Sequence, residues 1–314
     1  MIKRVSFLNM SPEEWREQRR KTIGGSDAGT IIGLNPYDSP YNLWCVKTGR
    51  IIPEDISTKE SVRLGHDLEQ YVADRFTEET GLKLRRDNNF VYNTEIPFAH
   101  VQADRLVVGM NAGFEAKTSS SYEVVKMMRE GKYRDSWYAQ CVHGMMVTGA
   151  DRWYLGVLVF GHGFYHFTIE RDESEISALI TAERDFWECV INDTPPAVDG
   201  SKATSDAIKA VYSDSHPGTI DLFSRDTVID EIMAIRQQIK ELEQLQEERE
   251  NIIKADLGSY ESGTTDKFNV SWKQQTRRSF DVKRFAEVNP EINLAPYYNE
   301  TAFRKFDIRK KKGA

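Results

Sequence analysis

The sequence predicts an α/β (α+β) protein in which a central mixed β-sheet is flanked by helices and followed by a C-terminal helical/coiled and β appendage. Three observations carry this prediction. Over the first 195 residues, segments with helical periodicity and capped starts alternate with short runs rich in β-branched and aromatic residues. Residues 196–225 then turn rich in Pro, Ser, Asp, Gly and Thr. Beyond them a long heptad-like stretch begins. The 314 residues thus divide into a core (1–195), a linker (196–225) and an appendage (226–314) comprising a long helix and a small β/α tail.

The core elements follow in order. Ser11-Pro12-Glu13-Glu14 opens a helix over 11–21 with a serine cap, proline at the first helical position and acids in the first turn. Trp15 and Arg19, four apart, share a face. Gly24-Gly25-Ser26-Asp27 opens a second helix that runs to Ile32, with Gly33 placed to end it. Backbone amides at such a start suit an anion, and Ser26 equally suits a capping box. From Ser61 to Thr80, Val62, Leu64, Leu68, Val72, Ala73 and Phe76 form an apolar helical face that Gly81 terminates. Glu69 sits at the edge of that face, where it also suits an ordinary surface position.

Phe90-Val91-Tyr92 and Ala99 to Val108 read as strands, and Phe114 to Lys117 completes the sheet. Residues 119–131 read as a polar helix. Ser136 to Val147 is another helix, with Gln140 and His143 on one face. Trp153–Phe160 and Phe164–Glu170 form a hairpin about Gly161-His162-Gly163, and a helix from Glu173 to Asn192 precedes Pro195-Pro196.

In the appendage, Ile232, Ile239, Gln246 and Ile253 fall on one heptad position, and Val228, Ile235, Leu242 and Arg249 on the other. Six of the eight are apolar, which suits either a coiled coil or a long helix packed on the body. Gly258 ends it. Phe268, Val270 and Trp272 alternate as a strand, Asp281 caps a short helix, and Phe303 to Ile308 is a last strand or extended tail.

The chemistry-bearing stretch runs from Ala103 to Lys117. Side chains alternate across a strand, so Glu115 and Lys117 point to one face, and the turn Gly109 to Gly113 folds Asp104 back beside them. Carboxylate oxygens are hard ligands suited to Mg²⁺ or Mn²⁺, and a neighbouring lysine assists a bound water. That is the inventory for metal-assisted phosphodiester hydrolysis, although the same residues in isolation suit a solvated strand edge.

Composition sets bounds. Hydrophobic residues at 39% and charged residues at 29% are ordinary for a globular protein. Cys45, Cys141 and Cys189 lack CxxC or Cys/His spacing, which indicates reduced thiols in a cytoplasmic setting. No apolar run approaches the ~18–20 residues of a membrane span, and no signal-peptide pattern opens the chain. The net charge of −7 argues against DNA binding by overall charge. Local basic clusters exist, however: Arg16/Arg19/Arg20/Lys21, Arg85/Arg86, Lys273 to Arg278, and Arg309 to Lys312.

Ordered motifs surround the Asp104–Lys117 stretch. Trp15-x3-Arg19, Ile23-Gly24-Gly25-Ser26-Asp27, Gly33-Leu34-Asn35-Pro36-Tyr37, Leu43-Trp44 and Thr48-Gly49 precede it. Gly65-His66-Asp67-Leu68-Glu69 comes next, and Trp137-Tyr138-Ala139-Gln140 and Met145-x-Val147-Thr148-Gly149 follow the Glu115-Ala116-Lys117 strand. In this order and spacing, residues 10–195 resemble the YqaJ-like viral recombinases, the phage lambda exonuclease family of the PD-(D/E)xK nuclease superfamily.

The resemblance implies a phage-type, Mg²⁺-dependent 5′–3′ exonuclease on double-stranded DNA, with Mn²⁺ able to substitute. Such an enzyme leaves 3′ single-stranded overhangs for recombination by strand annealing. It further implies catalytic roles for Asp104, Glu115, Lys117 and Gln140. The metal would rest on Asp104, Glu115, the Ala116 carbonyl and Glu69, and the 5′-phosphate on Arg19 and Ser26. His143 is read as a DNA contact, not a metal ligand. The implied partners are duplex DNA ends, a single-strand annealing protein and further copies of the chain in a trimeric ring, in the host cytoplasm if phage-encoded. The alternatives are a structure-specific endonuclease of the same superfamily and a non-catalytic DNA-end or adaptor protein. The tail resembles those of some family members, and no role follows from that.

Overall fold

Local signals place the elements of the first unit, Met1–Ser213, in the computed structural model, which describes residues 1–311. A short strand β1 (Ile2–Ser6) precedes α1 (Pro12–Arg20). The Ser11 hydroxyl accepts from the Glu14 amide at 3.2 Å, and Glu14 accepts in return from the Ser11 amide at 2.8 Å. Next come α2 (Gly25–Ile31), α3 (Pro40–Lys47) capped by Ser39, and α4 (Glu60–Thr80), which Gly81 ends in the left-handed conformation at φ 74°. Strands β2 (Leu84–Arg86), β3 (Asn89–Asn93), β4 (Ile96–Val101), β5 (Arg105–Val107) and β6 (Ala112–Ser119) follow. Then come α5 (Tyr122–Arg129), α6 (Asp135–Thr148), the hairpin β7 (Arg152–Val159) and β8 (Gly163–Glu170), α7 (Glu173–Ile191) and α8 (Lys202–Val211).

The expected mixed sheet is present. Five strands lie in the order β2-β5-β6-β7-β8, with β6 and β7 parallel and the other pairs antiparallel. A parallel pair needs a crossover, and α5 and α6 supply it. One face packs against α4, where Phe76 meets Phe114 at 4.9 Å and Tyr154 at 5.2 Å between ring centroids. The other face packs against α6. There Trp153 lies so close to Gly113 and Gly144 that a Cβ on either would approach its ring to 2.3 and 2.7 Å. Only glycine lets the helix close on the sheet at this point.

Several expectations are corrected. Ala99 to Val108 is not one strand: β4 joins β1 and β3 in a separate three-stranded antiparallel sheet, and β5 joins the five-stranded one. Phe90 to Tyr92 therefore lies outside the main sheet. Alternation marks a strand but not the sheet it enters, and the chain changes sheet at Gln102 to Asp104. The 119–131 helix is less polar than expected, because Val124, Val125 and Met128 are buried. Residues 196–225 are not a plain linker. Ser201 caps α8, Ala207 is buried, and Thr204 donates to the Ser39 hydroxyl at 2.8 Å, which seats α8 on α3. Polar composition hid this short amphipathic helix. Strands β1 and β2 and helix α3 had no expectation.

The second unit begins at Asp214. Its elements are α9 (Asp226–Leu257), the antiparallel pair β9 (Ser262–Thr264) and β10 (Asn269–Ser271), α10 (Val282–Val288) and a 3-10 turn at Ala295–Tyr297. Asp281 caps α10 by accepting from the Arg284 amide at 2.9 Å. Along α9 only Leu257 is buried, and Phe303 to Ile308 forms no regular element. Lys312 of the last basic cluster lies outside the described residues. No helix among the described residues is long and apolar enough to cross a membrane.

Candidate active site

The bend between β4 and β5 carries Asp104, and its carboxylate accepts from the Ala116 amide at 2.8 Å. That bond is available because β5 pairs with β6 only at Phe114 and Gly113 and stops short of Ala116. A strand residue turns its N–H and C=O to the same edge, so the Ala116 carbonyl faces the Asp104 side as well. Glu115 and Lys117 share one face, as alternation requires, and Lys117 donates to Glu115 Oε1 at 2.8 Å. From α6, Gln140 bridges both: its amide oxygen accepts from Lys117 at 2.8 Å, and its nitrogen donates to Glu115 Oε1 at 2.5 Å. Asp104, Glu115, Lys117 and Gln140 thus form one connected group.

Burial and charge shape this group. Glu115 is only 4% exposed. Burial, and after it the Glu115 carboxylate, pushes the Asp104 carboxyl well above its ordinary value. Burial alone would lower the Lys117 ammonium, but Glu115 and Asp104 beside it hold it above the usual lysine value. Burial also raises the Cys141 thiol well above its usual value, so it is an inert neighbour.

Glu69 reaches the same cleft from α4 but is taken up by Arg105, whose guanidinium donates to Glu69 Oε1 and, at 2.6 Å, to the Asp104 carbonyl. Sequence reasoning missed Arg105, a buried cation next to Asp104. Alternation opposite Asp104 was the available signal.

The structure brings Arg19 and Ser26 together. The Arg19 guanidinium donates to the Ser26 hydroxyl at 2.8 Å and lies over the Trp15 ring at 4.7 Å. Both line a cleft of about 470 Å³ together with Glu69, Asp104 and Gln140. Lys47, also missed, fixes this corner. Its buried ammonium donates to the Arg19 and Thr22 carbonyls, each at 2.8 Å, and to Asp27 at 2.6 Å. Burial would raise the Asp27 carboxyl, but Lys47, Arg19 and the Gly24 amide together hold it below its ordinary value. Asp27 and Lys47 thereby lock the turn between α1 and α2.

His143 corrects an expectation. It is fully buried, with Nδ1 bonded to Glu183 at 2.7 Å and Nε2 to the His100 carbonyl at 2.8 Å. It cannot touch DNA; it ties α6 to α7 and β4. Helical spacing put it near the face of Gln140, but two residues of one helix face meet different neighbours when a third helix packs along it. Burial, reinforced by His143, lowers His100 to about 3, so its ring is neutral and pairs with the Thr22 hydroxyl at 2.8 Å.

The donor set fits a hard divalent cation. Two crowded carboxylates and a backbone carbonyl offer oxygen ligands, and the unfavourable proximity of Asp104 and Glu115 is what a cation between them would relieve. Asp104, Glu115 and Ala116 O would hold it, with Glu69 available once released from Arg105.

Residues 14–151 match the YqaJ-like viral recombinase domain. An uncharacterized protein, YqaJ, of Bacillus subtilis (strain 168) is 34% identical over 305 residues, spanning 96% of this chain and 95% of its own. Among solved structures, an alkaline exonuclease from Laribacter hongkongensis is 19% identical with a TM-score of 0.49. It covers 58% of this chain and 94% of its own. A phage-related exonuclease from Haemophilus somnus 129PT is 13% identical with a TM-score of 0.43, covering 57% and 99%.

Proposed function

The chain belongs to the YqaJ-like viral recombinase family, and from that premise we propose that it is a Mg²⁺-dependent 5′–3′ exonuclease on double-stranded DNA. One observation carries the reading: Asp104 and Gln140, which tie into Glu115 and Lys117, line the same cleft as the Arg19–Ser26 pair. A metal held by Asp104, Glu115 and the Ala116 carbonyl would make its water more acidic and offset charge on the phosphate. Mn²⁺ would serve in place of Mg²⁺.

The chain's own groups supply the rest. Lys117, an ammonium beside two carboxylates, would stabilise negative charge on the attacking oxygen. Gln140 fixes Lys117 and Glu115 relative to each other. Arg19, aimed by Ser26 and by the Trp15 ring, holds the terminal 5′-phosphate, and the fixed separation from Asp104 sets the bond that is cut. The reading extends to 3′ overhangs passed to a single-strand annealing protein, to a ring of copies of the chain, and to the host cytoplasm.

The test is digestion of linear duplex DNA carrying strand-specific end labels, with 5′-phosphate or 5′-hydroxyl ends. Metal-dependent loss from the 5′ end, faster with phosphate, is expected. Cutting of covalently closed circles would instead indicate an endonuclease, and no digestion in Mg²⁺ or Mn²⁺ would sink the nuclease reading.

A further inference from the structure

Charge is segregated along the chain. Residues 267–314 hold 12 Lys and Arg against 5 Asp and Glu, whereas the 266 residues before them hold 30 against 44. A protein of net charge −7 therefore carries a strongly basic C-terminal segment. Cations there flank aromatic residues: Lys267-Phe268, Trp272-Lys273, Arg277-Arg278-x-Phe280 and Phe303-Arg304-Lys305-Phe306. These aromatics are open to solvent, Trp272 being 51% exposed, Phe280 69% and Phe303 82%. Side chains of this size are ordinarily buried.

We propose that residues 267–311 are a binding site for single-stranded DNA. Aromatic faces stack on unpaired bases of any sequence, and interleaved cations follow the phosphate backbone. A protein partner is the weaker fit, because protein interfaces are depleted in lysine at their centres. Duplex DNA is also a weaker fit, since its bases already stack on one another and leave aromatic rings nothing to cover. The backbone suits a flexible polyanion: from Asn289 to Lys311 the one regular element is the turn at Ala295–Tyr297, so successive rings can adjust to successive bases. The inference rests on charge and exposure in this segment and stands apart from the nuclease chemistry.

The experiment uses the full chain in EDTA, which prevents digestion, and a fluorescein-labelled thymidine 30-mer read by anisotropy across a salt series. Two variants are compared with wild type. One replaces Trp272, Phe280, Phe303 and Phe306 with Ala; the other replaces Lys273, Arg277, Arg278, Arg304 and Lys305 with Gln. Both should weaken single-strand binding about ten- to a hundredfold. The charge variant should flatten the salt dependence, and the aromatic variant should leave it nearly unchanged. Wild type should favour the single strand over a hairpin duplex of equal length, with an RNA 30-mer as the arm that separates DNA from nucleic acid in general. Unchanged affinity in both variants, or equal wild-type affinity for the duplex, would overturn the proposal. So would wild-type affinity accompanied by an altered sedimentation mass or melting temperature, which would assign the aromatics to a protein contact.

Discussion

Between α4 and the sheet of the first unit, Phe76, Phe114 and Tyr154 close on one another, while Trp153 fills the opposite face against two glycines. In the second unit, Ile235, Ile239 and Leu242 of α9 lie open to solvent. Among the described residues, every buried apolar side chain but Leu257 belongs to the first unit. The two regions are stabilised by different means. The first is held by tertiary burial. Helix α9 is held locally, by good helix formers and by side-chain pairs one turn apart such as Gln246–Glu250 at 2.8 Å and Glu250–Lys254 at 3.1 Å. A region built on local terms tolerates change, and its exposed apolar stripe leaves the choice between coiled coil and plain helix to a partner. A region built on burial fixes geometry to fractions of an ångström, which is what chemistry needs.

The largest expected effect lies at the centre of the buried unit. Asp104→Ala, Glu115→Ala and Lys117→Ala should each lower the cleavage rate on the order of 10³-fold or more, with far-UV circular dichroism unchanged. Wild-type rates in any of the three would remove that residue from the catalytic group.

Next comes the buried His143–Glu183 pair, which should make the first unit's stability depend on pH. Burial opposes the His143 charge, but Glu183 and the His100 carbonyl raise its pKa above the ordinary 6.5. A raised histidine contributes stability that is complete below its unfolded value and is lost as pH rises through the folded one. Glu183→Gln should therefore cost about 3 kcal/mol at pH below about 6.5, the deficit shrinking as pH rises past the His143 value. Denaturant melts across pH would show this, and a constant deficit would mean the pair is not ionic.

A smaller effect is expected where the cleft meets substrate. On the proposed function, Arg19→Ala removes a charge-assisted contact to the terminal phosphate worth roughly 1.5–3 kcal/mol. The preference for 5′-phosphate over 5′-hydroxyl ends should therefore fall about ten- to a hundredfold, read as a ratio of kcat/KM values. An unchanged ratio would place the phosphate elsewhere.

The smallest effects should come from the second unit, and they test the contrast most directly. Ile235→Ala, at a position 53% exposed, should change stability by no more than about 0.5 kcal/mol. A chain ending at Ser213 should melt cooperatively and keep Mg²⁺-dependent digestion, whereas one ending at Pro196 loses α8 from its seat on α3 and should melt several degrees lower. Insolubility of the longer truncation would show that the first unit is not self-sufficient.

By itself the sequence determined what depends on neighbours along the chain. The Ser11 cap, the glycine ends of α2 and α4, the β7–β8 hairpin and the shared face of Glu115 and Lys117 all follow from spacing and local sterics. The candidate site was legible at this level, as motif positions. What only the tertiary structure decided depends on which surfaces meet. Nothing in the spacing could tell that the Ala99–Val108 stretch splits between two sheets at the site of Asp104, or that α8 leaves the linker to pack on α3. Nor could it show that His143 turns inward to Glu183 while Gln140, three residues earlier, reaches Glu115. Arg105 and Lys47 escaped notice for the same reason. A buried cation is indistinguishable from a surface one until its carboxylate partner, 20 or more residues away, is folded against it. Burial is a property of the assembled layers, and these side chains acquire their chemistry from burial.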